Sequence, residues 1–200
     1  MSTIINKTTL QIIPSADTGK YPESEWIYNP ILPNCDQKYW KISGNTVVEM
    51  EQSEKNIVDT AYLTFAKTQK IQESKALTES NIASGFTFQD KIYNLNSQTQ
   101  IIWTSIYVQA LAIKTTKDLD IALLDLENPV SIAPFQEHEG NYYTNIISKD
   151  NSVNTISYLD YISFFQTAVN IIKNEKFSGN NTIAEINEVT NIIDLENISL

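Results

Sequence analysis

Residues 52 to 77 contain neither proline nor glycine, whereas four of the six prolines, Pro14, Pro22, Pro30 and Pro33, fall within the first 36 positions. That uneven punctuation constrains the chain more than any other feature. Proline fixes φ and removes a backbone donor, so a regular helix is excluded from the first segment and extended or turn structure is favoured there. Residues 1 to 36 therefore read as an extended N-terminal arm. Ile4-Ile5 and Leu10-Gln11-Ile12-Ile13 have strand character, and Trp26, Ile27 and Tyr28 offer apolar area between prolines. Such an arm needs a surface to lie on, either its own domain or a neighbouring subunit.

The uninterrupted stretch predicts a helix from about Gln52 to about Leu77, roughly 40 Å long at 1.5 Å per residue. Its apolar stripe is thin: Ile57, Val58, Ala61, Tyr62, Phe65 and Ile71. A narrow stripe argues against a core helix. It fits one that projects, joins a bundle or packs on another copy, although the heptad fit is poor for a coiled coil.

Around it the chain alternates hairpin and helix signals. Lys38 to Ile42 and Thr46 to Met50 flank the turn Ser43-Gly44-Asn45. Phe86-Thr87-Phe88 and Ile92 to Leu95 flank Gln89-Asp90-Lys91. A third hairpin is expected from residues 130 to 135 and 142 to 147, turning at Glu137-His138-Glu139-Gly140-Asn141. The helix at 97 to 114, opened by a Ser97/Gln100 capping box, is the most apolar and is expected to be central. A helix at 156 to 174 is expected to end at Ser178-Gly179-Asn180, with a short helix to Ile193 after a Thr182/Glu185 box. Residues 118 to 127 read as a short helix or strand. The fold class is thus α+β, mainly helical with short antiparallel hairpins. It divides into the arm at 1–36, a hairpin plus long helix at 37–84, and an α+β domain with a helical end at 85–200. No βαβ alternation with Gly-rich turns supports a parallel nucleotide-binding sheet.

Composition narrows the function classes. The 200 residues carry a net charge of −10, and all 14 basic residues are lysine. Without arginine there is no bidentate fork for phosphate or guanine, and acidic excess repels nucleic acid and anionic membranes. Direct nucleic-acid binding is not expected. No apolar run approaches the length of a membrane helix, so no membrane insertion is expected, and no signal peptide is visible. The single cysteine, Cys35, excludes an internal disulfide and fits synthesis in a reducing cytosol.

Catalytic groupings are equally sparse. His138, the one histidine, lies between Glu137 and Glu139 in a charged turn, with no His or Cys to complete a transition-metal site. Cys35 in Pro33-Asn34-Cys35-Asp36 has only Lys38 near in sequence to activate it. The carboxylates Asp118, Asp120, Asp125 and Glu127, and the pair Glu49 and Glu51, show no spacing that marks a glycosidase. Accordingly no catalytic, cofactor or metal residues are assigned, no cofactor is expected, and the chain is read as a non-enzyme. Ten tyrosines and three tryptophans remain, more often core or interface anchors than a sugar platform.

Lys38-Tyr39-Trp40-Lys41, with Gly44, Val47-Val48-Glu49-Met50, Glu54-Lys55 and Asp59, resembles a short hairpin–helix element found in many tailed-bacteriophage tail proteins. Gly85 to Phe88, running through Ile92 to Asn96 into the Trp103 helix, is similar to a domain of unknown function that often accompanies it. Tyr142 to Ile146 and the Phe164-Phe165 helix, ending at Ser178-Gly179, resemble that domain's end. The resemblance covers roughly residues 38 to 180. It implies a virion structural component without catalysis, tail-associated as a ring, tail-fibre or connector subunit. Such a protein is made in the bacterial host cytoplasm, is homo-oligomeric and contacts other virion proteins. The alternatives are a carbohydrate-binding adhesin using Trp26, Trp40 and nearby tyrosines, and a cell-wall or capsule-degrading enzyme.

Overall fold

The computed structural model describes residues 2–118 and 134–200, and the expected element at 118 to 127 lies outside them beyond Asp118. The fold is α+β and mainly helical, with short antiparallel sheets. No helix among the described residues is long and apolar enough to cross a membrane. The chain forms two compact units. One comprises residues up to Thr68 with Thr190–Ile192, the other Gln69–Val189 with Ile193–Leu200.

In the first unit, β1 (Ser2–Asn6), β2 (Ile12–Ala16) and β3 (Trp26–Tyr28) make an antiparallel sheet in the order β2-β1-β3. The stretch read as an arm is extended in backbone, but its strands pair with one another and Ile4 and Ile5 are fully buried. The prolines do not prevent this because each occupies a position where a ladder donor is not needed. Pro14 is exposed on edge strand β2, at a bulge where the register moves from Ile4↔Ile13 to Ser2↔Ala16 and Ser15 takes φ +59°. The Pro22 carbonyl accepts from the amides of Glu25 and Trp26, which turns the chain into β3. Asn6 closes the β1–β2 turn, its side-chain oxygen accepting from the amides of Thr8 and Thr9 at 2.9 Å.

β4 (Trp40–Ser43) and β5 (Thr46–Glu49) form the expected hairpin, turning at Gly44 with φ +61°. Ile5 and Ile27 from the first sheet meet Trp40 and Val47 from this hairpin in one small core. Burial of Trp40 is made tolerable by its indole N–H, which donates to the Cys35 carbonyl at 3.1 Å. Helix α1 (Gln52–Ser84) follows, and Glu54 caps it by accepting from the Glu51 amide at 2.8 Å. None of its residues from Gln52 to Glu73 is buried, consistent with the thin stripe.

α1 outruns its expected end by two turns because its last residues enter the second unit, where Ile82 joins the core. It stops at Gly85, whose φ is +88°. A Cβ there would lie 2.1 Å from the Tyr93 carbonyl oxygen, so only glycine fits the reversal. β6 (Phe86–Phe88) and β7 (Lys91–Tyr93) turn through Gln89 and Asp90, both at positive φ, the conformation a two-residue hairpin favours. Helix α2 (Ser97–Asp118) is capped by Asn96, one residue before the expected Ser97, with the Thr99 amide donating to its side chain at 2.9 Å.

In place of the third hairpin is a three-stranded sheet, β8 (Gln136–His138), β9 (Asn141–Ile147) and β10 (Val153–Ser157), ordered β10-β9-β8. Of the expected first strand at 130 to 135, residues 130 to 133 lie outside the described residues, and β8 runs into the expected turn. Its first turn is tighter than expected, only Glu139-Gly140, because His138 and Asn141 pair directly. Ser157 then caps helix α3 (Tyr158–Glu188), accepting from the Asp160 amide at 3.1 Å. α3 does not end at Ser178-Gly179-Asn180, and no Thr182/Glu185 box forms. The Thr182 hydroxyl instead donates back to the Ser178 carbonyl at 3.2 Å. Gly179 permits a close helix approach: a Cβ there would fall 2.2 Å from Thr78 Oγ1 of α1. The chain closes with α4 (Ile192–Asn197), whose Leu195 is buried and accepts from Lys70 Nζ at 2.7 Å.

Phe164 of α3 is the centre of the second unit's core. It is fully buried, and the rings of Phe86, Phe88, Tyr93, Trp103 and Tyr161 lie within 4.8–5.5 Å of it. The Tyr161 hydroxyl satisfies itself on the Trp103 carbonyl at 3.2 Å, and burial pushes that phenol's pKa up. The α2 helix is central, as its apolarity predicts, burying Trp103, Ala110 and Ile113.

Candidate functional site

The polar residues at Lys38 to Lys41, Glu49, Glu54, Lys55 and Asp59 come together on the first unit. Lys38, just before β4, places its ammonium 2.9 Å from Asp59 Oδ1 on α1. The Tyr39 hydroxyl donates to the same carboxylate, 2.7 Å from Oδ1 and 2.9 Å from Oδ2. Lys41 on β4 reaches Glu54 at 2.5 Å, and Lys55 pairs with Glu49 on β5. Three lysines of the segment, Lys38, Lys41 and Lys55, are thus each matched to a carboxylate within it, Asp59, Glu54 and Glu49. Its apolar members Trp40 and Val47 point into the small core. The sequence spacing works because Lys38 and Tyr39 lie in the short turn that leads into β4, Lys41 and Glu49 lie on the hairpin, and Glu54, Lys55 and Asp59 lie on the first turns of the helix.

The electrostatics follow. Lys38, and then Tyr39, hold the Asp59 carboxyl below its ordinary range, and Tyr39 and Asp59 hold the Lys38 ammonium above its own. Lys41 lowers Glu54, helped by the Glu51 amide, and Glu49 raises Lys55. The Lys38 ammonium also sits 4.6 Å from the Tyr39 ring centre and 5.7 Å from that of Tyr62, with Lys55 5.3 Å from the Tyr39 ring. Beside the cluster is an open recess of about 570 Å³, lined by Lys38, Tyr39, Asn56, Asp59, Tyr62 and Asn191 among others. Tyr62 is 52% exposed at its rim.

The individually weighed residues are dispersed. His138 is exposed on β8. Cys35 is half-buried, its backbone carbonyl engaged by Trp40. Glu49 is paired with Lys55, Asp118 with Lys114, and Glu137 accepts from the Gly140 amide at 2.6 Å. Asp120, Asp125 and Glu127 lie outside the described residues. Trp40 is buried and not open to a sugar, while Trp26 is partly exposed and packs edge-on to Tyr21 at 5.0 Å. Among the described residues no cluster of three or more His, Cys, Asp or Glu could hold a metal.

A second polar cluster is not apparent from sequence. The Ser148 hydroxyl, in a residue 3% exposed, donates to Asp150 Oδ1 at 2.5 Å, and Ser152 donates to the same oxygen at 2.8 Å. These hydroxyls, Ser148 first, hold the Asp150 carboxyl well below the usual range. The network closes the β9–β10 turn, and the Lys149 amide ties that turn to the Ile92 carbonyl of β7 at 2.6 Å. Its donors and acceptors are spent on structure. Compared with known protein families, curated proteins and solved structures, the chain matches none.

Proposed function

We propose that this protein is a non-catalytic structural component of a tailed-phage virion, tail-associated and working through subunit contacts as a ring, tail-fibre or connector subunit. The observation that carries this reading is the self-matched hairpin–helix element. Lys38, Tyr39, Lys41, Glu49, Glu54, Lys55 and Asp59 neutralise one another across strand and helix. Residues committed to each other in this way tie the hairpin to the helix and are spent on that contact rather than on acid, base or nucleophilic work. That is the behaviour expected of the tail-protein element the segment resembles. In this role the chain is made in the bacterial cytoplasm, ends in the particle, and has other virion proteins and its own copies as neighbours. Quantitative mass spectrometry of density-purified particles tests it. Peptides at a fixed multiple of a known tail protein are expected; their absence from particles that contain the other tail proteins overturns the reading.

A second reading, a carbohydrate-binding adhesin, is favoured by one feature: the recess beside Tyr62, with Asn56 and Asn191 at its wall. An exposed ring bordered by amides is the chemistry of a neutral saccharide site. Binding to a glycan array that disappears in Tyr62→Ala would support it. A blank array would remove it.

A further inference from the structure

The outward side of α1 in the first unit carries exposed apolar side chains at helical spacing. Ile57 is 70% exposed and Phe65 62% exposed, and Ala61 between them is exposed as well. These three are spaced by four residues and form one ridge on the helix. The ridge is flanked by Thr60, Thr64 and Thr68, whose hydroxyls donate to the carbonyls of Asn56, Thr60 and Thr64 at 2.7, 2.8 and 2.9 Å. Their polar atoms are thereby satisfied inside the helix. From residue 56 to residue 66 the only charged side chain is Asp59, which is turned to Lys38 and Tyr39. The face is thus apolar, uncharged and free of unmet hydrogen bonds, in a chain of net charge −10.

We infer that this ridge is a self-contact: a second copy of the chain docks on it antiparallel, crossing at Ala61, with Ile57 of each copy against Phe65 of the other. Two features select a second copy over another occupant. Copies of a strongly acidic chain repel one another at charged surfaces, so contact between them requires a patch where no like charges meet; a basic partner would gain nothing from this uncharged ridge. The large–small–large order is also self-complementary under a two-fold axis. The small residue lets the backbones approach where they cross, and each large side chain meets the other kind, as an isologous contact requires. Ridges spaced by four residues on both helices give the commonest helix-crossing class. One such crossing covers less than the roughly 800 Å² per partner of a stable interface, so the expected dimer is weak and concentration-dependent. This inference names the subunit contact of the structural role proposed above and rests on that reading.

Sedimentation equilibrium of the full chain, from about 10 to 500 μM, with circular dichroism to verify folding, tests it. The wild-type chain is expected to dimerise, and Ile57→Glu or Phe65→Glu alone to weaken association by about tenfold or more, the loss typical of a central contact residue. The double variant Ile57→Glu with Phe65→Lys should recover association, because only the antiparallel arrangement sets the two new charges against each other. A chain that stays monomeric throughout, single variants that dimerise like wild type, or a monomer that instead sediments with lipid vesicles would each overturn the contact. A dimer lost in the variants, from a protein absent in purified particles, would keep this contact and sink the virion reading.

Discussion

The two units are stabilised by different means. In the second, five aromatic rings surround Phe164 and a continuous core runs through α2, α3 and the sheets. In the first, the hairpin core is small, centred on Ile5, Ile27, Trp40 and Val47, and a set of strand-to-helix ion pairs adds to it. Burial scales with apolar area, whereas exposed ion pairs are individually weak and screened by salt. The comparison implies that the second unit answers chiefly to volume changes, with Asp150 as an acid-sensitive point at its β9–β10 turn, and the first chiefly to pH and ionic strength.

The most disruptive test is Phe164→Ala, which removes the hub ring. It should cost about 3–5 kcal/mol, read by urea unfolding followed at Trp103; a cost below about 1 kcal/mol would contradict a core organised on that ring. Next is Gly179→Ala, whose new methyl meets Thr78. Overpacking of this kind costs about 1–3 kcal/mol, and Thr78→Ala in the same chain should return most of it. A double-mutant cycle without coupling would place the strain elsewhere. In the first unit Trp40→Phe removes the indole donor to Cys35 along with some volume. About 1–2 kcal/mol is expected, seen as a lowered thermal midpoint.

The smallest effect sharpens the contrast most. Asp59 has a depressed pKa when folded, set first by Lys38 and then by Tyr39. A carboxylate of this kind contributes its stability above the unfolded value of about 3.9 and loses it as pH falls through the lower folded value. Melting temperature should therefore drop on acidification below about pH 4, and the drop should be shallower in Asp59→Asn. Added salt should narrow the difference between the two proteins at neutral pH. Parallel curves for variant and wild type would remove the ion pairs from the account.

Much of this architecture is legible in the sequence where local chemistry decides it. The Gly44 hairpin, the Pro- and Gly-free α1, the Phe86–Tyr93 hairpin and the central α2 all follow from turn residues and apolar spacing. What is not legible depends on neighbours distant in sequence. Gly179 looks like a helix stop until Thr78 is seen against it. Pro14 looks like a strand breaker until β2 proves to be an edge strand with a bulge. The pairing of Lys38 and Tyr39 with Asp59 spans about twenty positions, so residue types alone do not reveal it. The ridge at Ile57, Ala61 and Phe65 is visible as a thin stripe, but only the structure separates its outward side from the side facing the hairpin.

The lysine pairings carry one more consequence. Because every basic residue is lysine, trypsin can cut only at lysines and amine-reactive reagents see every cationic side chain in the protein. Lys38 and Lys55 hold their protons more tightly than a free amine because of their neighbours, and Lys114 in the second unit does so beside Asp118. Acylation requires the deprotonated amine, so these positions should label slowly while their unit is intact and quickly once it opens. The protein therefore contains its own set of chemical reporters, able to follow the melting of each unit separately in the unaltered chain.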